Sequence, residues 1–284
     1  MTFRLSFEVF PPKTEAGLVG LGTAVKALET VDPAYISVTY GAGGSQRDNS
    51  FAAIDTVRTN APQTLVAAHL TCVGQSTADI EAILDRYDQL GVHHVVALRG
   101  DPPEGIDAPY CAHPEGFQST AELVAAIARR GRFEIAVSAY PERHPQSPDT
   151  SHDLDVLAAK VDAGATLAMT QMFFDNDLFL RYRDQVAARR IDVPVVPGIF
   201  PIHSFAAVAR FAGRCGASVP TALADVFASG DVNTELAADL AALQIDHLRR
   251  EGVEQVHLYT LNKSDLALAV CARLGVGPQP TDRP

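Results

Sequence analysis

Eight short apolar stretches run the length of this chain, each followed by an amphipathic one, and that alternation limits the possible folds more than any other feature. The strand-like runs cover residues 5–10, 35–40, 65–72, 92–98, 133–140, 166–173, 193–199 and 255–261. Helix-like stretches lie at 17–30, 51–59, 77–90, 120–130, 154–163, 178–190, 205–214, 233–250 and 264–274. The strand-like runs are mostly continuously apolar, which indicates burial on both faces and a parallel sheet. Eight such strands alternating with helices fit a single (β/α)8 TIM barrel over residues 1–284. A doubly wound sheet is the competing α/β architecture. No Ser/Gly/Pro linker divides the chain; residues 102–116 and 141–151 read as long loops and 275–284 as a frayed tail.

Composition narrows the partners. The chain carries a net charge of −11, which argues against nucleic acid and against an anionic membrane surface. Cys72, Cys111, Cys215 and Cys271 are scattered, without Cys-x-x-Cys or paired Cys/His spacing, as expected of a reduced, cytoplasmic protein with no metal centre. The first residues lack the pattern of a signal peptide, and no apolar run reaches spanning length.

Chemistry gathers at the strand ends, where barrel enzymes build their sites. Glu8 stands in Leu5-Ser6-Phe7-Glu8-Val9-Phe10, closed by Pro11-Pro12. A carboxylate there is costly to bury without partners, and low-dielectric surroundings favour its protonated, proton-donating form. The following strands end in Thr39-Tyr40, His69, Arg99-Gly100-Asp101, Tyr140, Gln171, Gly198-Ile199-Phe200-Pro201 and Thr260-Leu261-Asn262-Lys263. Taken singly, many of these have a plain structural reading. Asp101 before proline suits a turn, His69 suits a satisfied core histidine, and Asp153 and Lys160 suit a helix cap and a solvated charge. Gly41-Ala42-Gly43-Gly44-Ser45 lacks the third glycine of a dinucleotide fingerprint, since Gln46 stands there. Composition and spacing stop at a barrel enzyme of unknown reaction.

The motifs go further. Phe7-Glu8-Val9-Phe10-Pro11-Pro12-Lys13, Ser37-Val38-Thr39-Tyr40-Gly41-Ala42-Gly43-Gly44-Ser45, His69-Leu70-Thr71-Cys72 and Ala97-Leu98-Arg99-Gly100-Asp101 resemble those of methylenetetrahydrofolate reductases. So do Ala139-Tyr140-Pro141-Glu142, Lys160-Val161-Asp162-Ala163-Gly164-Ala165, Thr170-Gln171-Met172-Phe173-Phe174-Asp175, Pro197-Gly198-Ile199 and Tyr259-Thr260-Leu261-Asn262. The resemblance covers nearly the whole chain, in order, and is to the short bacterial type.

It implies an FAD enzyme with NADH or NADPH as co-substrate, reducing 5,10-methylenetetrahydrofolate to 5-methyltetrahydrofolate in a ping-pong cycle that supplies methyl groups for methionine synthesis. Glu8 matches the family's general acid, Asp101 the carboxylate beside flavin and pterin, and Gln171 the amide that bonds folate and nicotinamide in turn. Flavin contacts match Thr39, Tyr40, Ala42, His69, Arg99, Gly100, Asp101, Tyr140, His144, Asp153 and Lys160. Folate contacts match Thr39, Asp101, Gln171, Phe211 and Lys263, where Lys263 stands in place of the Arg of many relatives. Relatives are homo-oligomers, and the same is expected here.

Overall fold

The structure, a computed structural model, describes residues 3–40, 44–102, 105, 108–228 and 233–277. Its strands are β1 (Arg4–Val9), β2 (Ile36–Val38), β3 (Val66–Thr71), β4 (His94–Leu98), β5 (Glu134–Ala139), β6 (Leu167–Thr170), β7 (Val195–Val196), β8 (Gly198–Ile199) and β9 (Gln255–Tyr259). The helices are α1 (Glu15–Glu29), α2 (Gly44–Asn60), α3 (Thr77–Gln89), α4 (Thr120–Ala128), α5 (Thr150–Asp162), α6 (Asn176–Ala188), α7 (Phe205–Cys215), α8 (Thr221–Ala228), α9 (Thr234–Arg250) and α10 (Ser264–Arg273). All strand pairs are parallel, in the order β7-β6-β5-β4-β3-β2-β1-β9-β8.

Because β7 and β8 are separated only by Pro197, that order closes on itself: β7 pairs with β6, and β8 with β9. The expected eight-stave TIM barrel is therefore present, with one correction. The seventh run, 193–199, is two short strands. Proline has no N–H to give to a ladder, and the next amide, Gly198 N–H, donates to the Thr170 hydroxyl at 2.9 Å. Only glycine fits at 198, since a Cβ there would lie 2.3 Å from Thr170 O and 2.6 Å from the Tyr259 hydroxyl.

Local chemistry starts the helices where the amphipathic stretches predict them. Thr14 caps α1, and Ser76 with Asp79 forms a capping box on α3. Asp149, Asp175 and Asn233 cap α5, α6 and α9. α2 begins at Gly44, well before the expected residue 51, and α8 was not anticipated. The glycine turn 41–43, with Ala42, lies outside the described residues, as do 278–284 of the expected tail.

The main core fills the space between barrel and helices. Inside the barrel the filling is divided. Tyr35, Ala67, Val96 and Met169 form an apolar cluster, while Ser6, Ser37, His69 and His257 are buried polar residues of β1, β2, β3 and β9. That polar column is in phase with Glu8, two residues beyond Ser6 on the same strand face.

Candidate active site

At the carboxyl ends of the strands opens a cavity of about 780 Å³, within the range of small-molecule sites. It is lined by Glu8 of β1, Thr39 and Tyr40 after β2, His69 of β3, and Arg99, Gly100 and Asp101 after β4. Tyr140, His144, Asp153, Lys160, Gln171 and Phe211 complete the same wall. Residues more than 200 positions apart in the chain thus share one mouth. A larger recess, about 980 Å³, lies at the opposite end of the barrel around Arg4, Arg183 and Arg190. In this fold that end serves stability, and the carboxyl end carries chemistry.

Glu8 sits between two imidazoles. Its Oε2 is 3.4 Å from His69 Nε2 and 3.8 Å from His257 Nε2. Burial drives the His69 pKa below its usual range, against the opposing pull of Glu8, with His257 lowering it further. A neutral His69 makes the contact something less than an ion pair, and its Nε2 has no hydrogen-bond partner among the described residues. His257 is wholly buried. Its Nδ1 is 2.8 Å from the Ser6 hydroxyl, which itself donates to Val256 O at 3.3 Å, so Nδ1 is assigned as the N–H side. Nε2 is then the acceptor facing Ser37 Oγ at 3.4 Å. His257 was not singled out from sequence; the period-two phase of Ser6 with Glu8, and of His257 with Tyr259, was the available signal.

The backbone of Glu8 is fixed as well. Its carbonyl accepts from Thr260 Oγ1 at 2.6 Å and Thr260 N–H at 3.2 Å, continuing the β1–β9 pairing past the last rung.

On the β4 side, Gly100 has φ +83° and a Cβ there would meet Val73 Cγ1 at 2.5 Å. Glycine alone permits the turn that brings Arg99 and Asp101 to the cavity. The Arg99 guanidinium lies 5.2 Å from the Tyr110 ring centroid, and the Tyr110 hydroxyl donates to Phe117 O at 3.0 Å. Part of the long loop after β4 is thereby packed onto Arg99.

Asp153 and Lys160 of α5 are both buried, which excludes the solvated-charge reading. Asp153 accepts from His144 N–H at 3.0 Å and from the Ser147 hydroxyl, and the cap itself is Asp149. Lys160 Nζ donates to Ser138 O at 2.9 Å. Burial lowers the Lys160 pKa to about 8, more strongly than Asp153 raises it. Burial likewise lowers the His144 pKa, with Arg99 adding to it, and raises the Tyr140 hydroxyl to about 12.

Opposite, Gln171 Oε1 accepts from Met172 N–H at 3.0 Å, so the donor side of that amide is what it can offer a ligand. Phe211 is 45% exposed, its ring 5.8 Å from that of Phe200. Rings continue inward from Phe200 to Tyr259 and His257. Lys263 is exposed and outside the cavity lining, at the start of α10. Thr71, Ser138, Met169, Arg214 and Cys215 line the cavity without having been expected there. Among the described residues no cluster of His, Cys, Asp and Glu suits a metal ion.

Known proteins resemble this chain over nearly its whole length. The family profile described as Methylenetetrahydrofolate reductase matches residues 1–275. A 5,10-methylenetetrahydrofolate reductase from Pectobacterium carotovorum subsp. carotovorum is 38% identical over 279 residues, covering 96% of this chain and 91% of that protein. The Escherichia coli (strain K12) protein of the same description is 37% identical over 278 residues, with the same coverage. A solved Clostridium thermocellum structure, described as binding two copies of 5-methyl-5,6,7,8-tetrahydrofolic acid, superposes with TM-score 0.68. It covers 97% of this chain and 95% of its own, at 10% identity, and so speaks for the fold. With a profile over nearly its full length and relatives at this identity, the chain belongs to the methylenetetrahydrofolate reductase family.

Proposed function

We propose that this enzyme holds FAD at the barrel mouth and uses NAD(P)H to reduce 5,10-methylenetetrahydrofolate to 5-methyltetrahydrofolate, the two substrates occupying one position in turn. The observation that carries this reading is the convergence of Glu8, Asp101 and Gln171 on a single cavity. An acid, a carboxylate and an amide donor are what a cationic, ring-opened folate requires.

The residues present fit the cofactor. The cavity wall holds a buried amine, Lys160, beside Asp153 and Arg99, suited to a diphosphate and hydroxyl-bearing chain. His69 Nε2 and Thr71 Oγ1 are buried polar atoms without partners among the described residues, and both residues line the cavity. Unsatisfied buried atoms of this kind call for a ligand. Gly100 lets the backbone approach a flat ring closely. Thr39, Tyr40, Tyr140 and His144 complete this side of the wall, and Ala42 lies outside the described residues. When bound, FAD supplies a two-electron carrier between the pyridine nucleotide and the folate.

The chain's own residues do the rest. Glu8 gives a proton to N10 of the substrate, whose five-membered ring opens to the 5-iminium cation. The His69 beside it is neutral and does not hold Glu8 in an ion pair. The Asp101 carboxylate stabilises that positive charge. Gln171 donates from its amide to whichever substrate is present, and Phe211 offers a ring face to either one. Lys263, at the rim, gives a point charge toward the carboxylates of the folate tail. Hydride and proton together convert the methylene bridge into the N5-methyl group. The product suits methionine synthesis, in a cytoplasmic homo-oligomer.

The test is direct. Purified protein should be yellow and should oxidise NAD(P)H in the presence of the folate substrate. Glu8→Gln should abolish folate reduction and leave reduction of the cofactor by NAD(P)H largely intact. A colourless protein that binds folate without redox chemistry would overturn this reading.

A further inference from the structure

Beyond the last β1–β9 rung, the two segments are joined by a side chain imitating a strand. The register ends at Glu8 opposite Tyr259. Phe10 N–H then donates to Asn262 Oδ1 at 2.8 Å, and Asn262 Nδ2 donates to Phe10 O at 2.8 Å. One carboxamide thus satisfies both backbone groups of Phe10, as a parallel neighbour would. The Thr260 hydroxyl, which donates to Glu8 O, also accepts from Asn262 N–H at 3.2 Å. The turn that allows this is unusual: Leu261 and Asn262 both have left-handed backbones, φ 51° and 58°. A left-handed conformation is tolerable for Asn but an outlier for a bulky residue such as Leu. Strain of this sort persists only where surrounding contacts over-determine it. Leu261 and Phe10, 42% and 43% exposed, both line the cavity.

We propose that Asn262 is a positioning residue for Glu8: its carboxamide locks the segment after β1 to the turn after β9 and so fixes the acid and the apolar rim relative to the bound folate. This rests on Glu8 being the proton donor. The amide itself touches neither reactant, and its action is through Phe10 and the Glu8 main chain.

Three variants separate this from a backbone role. Asn262→Gly accepts the left-handed φ at no cost but has no amide, Asn262→Ala has neither advantage, and Asn262→Asp keeps the acceptor for Phe10 N–H only. In rapid-mixing experiments on each holoenzyme, the Gly and Ala variants should reduce the folate substrate about 10- to 100-fold more slowly, the cost of an acid displaced by up to about 1 Å. Reduction by NAD(P)H, which needs no proton from Glu8, should change less than about twofold by the same argument. The Asp variant should fall between. Independently of activity, amide hydrogen exchange at Phe10 should be protected in the parent, partly protected with Asp and fast with Gly or Ala. A Gly variant indistinguishable from the parent would mean that Asn262 serves only its own backbone, and the proposal fails. Parallel losses in both half-reactions, or unfolding of all three variants, would assign the amide to stability and overturn it equally. Glu8→Gln in the same assay keeps the two ideas apart: if it still reduces folate, the reading of Glu8 is wrong, whereas if it is inactive toward folate and the Asn262 variants are normal, only the positioning role is lost.

Discussion

His69 Nε2 and Glu8 Oε2 stand 3.4 Å apart at the barrel mouth, close enough for an ion pair, yet no hydrogen bond joins them. Nor is the pair ionic, because desolvation outweighs the attraction of the carboxylate and keeps the imidazole neutral. The outer helices show the opposite case. There a half-buried Arg130 bonds Asp85 at 2.6 Å and also Glu81, whose carboxylates stay open to water and keep their charge.

The neutral His69 predicts an acid-side loss of stability. Its pKa is lowered in the fold, whereas the unfolded chain titrates near the reference value of about 6.5. Above that value the unfolded and folded forms are both neutral and nothing is lost. Below it the unfolded chain takes up a proton that the fold resists, so stability falls with pH. Urea midpoints at pH 8 and pH 5.5 should therefore drop further for the parent than for His69→Gln. Equal drops would exclude His69 as a source.

Lys160 is kept at a cost to the free protein. Lowering its pKa from 10.5 to about 8 means that the charged amine destabilises the fold by on the order of 3 kcal/mol at neutral pH. Lys160→Met should therefore melt higher than the parent when cofactor-free at pH 7, and the difference should shrink as pH rises from 8 towards 10, where the amine discharges in the fold first. The same variant should retain FAD poorly, as measured by fluorescence titration. A variant that is less stable at pH 7 would show that the bond to Ser138 O outweighs desolvation.

Gly100→Ala should be severe for its size. The added methyl group enters at φ +83° and meets Val73 Cγ1 at 2.5 Å and Thr71 Cβ at 2.9 Å. Strain and overpacking together give a loss of roughly 2–4 kcal/mol, and Arg99 and Asp101 on either side are displaced from the cavity. Chemical denaturation measures the first effect and the FAD dissociation constant the second. A loss below about 0.5 kcal/mol, the usual size for an innocuous substitution, would contradict the close approach.

Ser6→Ala removes the partner of His257 Nδ1, 2.8 Å away in a wholly buried setting. Leaving that N–H unsatisfied should cost about 1–3 kcal/mol. Urea unfolding gives the value, and a neutral result would show that the Ser6 hydroxyl contributes nothing net to seating the imidazole.

The barrel itself was legible because burial on both faces leaves continuous apolar runs, as in Val95-Val96-Ala97-Leu98 of β4. Elements with weaker patterns were not. α8 has eight residues, too few to display a period, and the first turns of α2, Gly44-Ser45-Gln46-Arg47-Asp48-Asn49-Ser50, contain no apolar side chain. The seventh run looked whole because its Pro197 lies between apolar neighbours. At the site, the strand-end positions Glu8, Asp101 and Gln171 followed from topology once the barrel was assumed. Asp153 and Lys160 did not, since their helix reads as an ordinary amphipathic one; resemblance to relatives, not periodicity, marked them. His257 escaped because a histidine within an apolar strand gives no sign of the hydroxyls that meet it from β1 and β2.

The broken seventh stave has a bearing on traffic through the mouth. All eight joins around the cylinder carry main-chain bonds, among them His257 N–H to Pro197 O at 2.9 Å, and beside Pro197 two side chains add to them: the Thr170 hydroxyl accepts from Gly198 N–H, and the Tyr259 phenol donates to Thr170 O at 2.8 Å. With two residue pairs on each flank, against three or more at every other join, this stave has the least main chain holding it in the hoop. Phe200 comes next along the chain and its ring meets that of Phe211, so the thinnest part of the wall adjoins the surface on which two dissimilar reactants would have to replace one another.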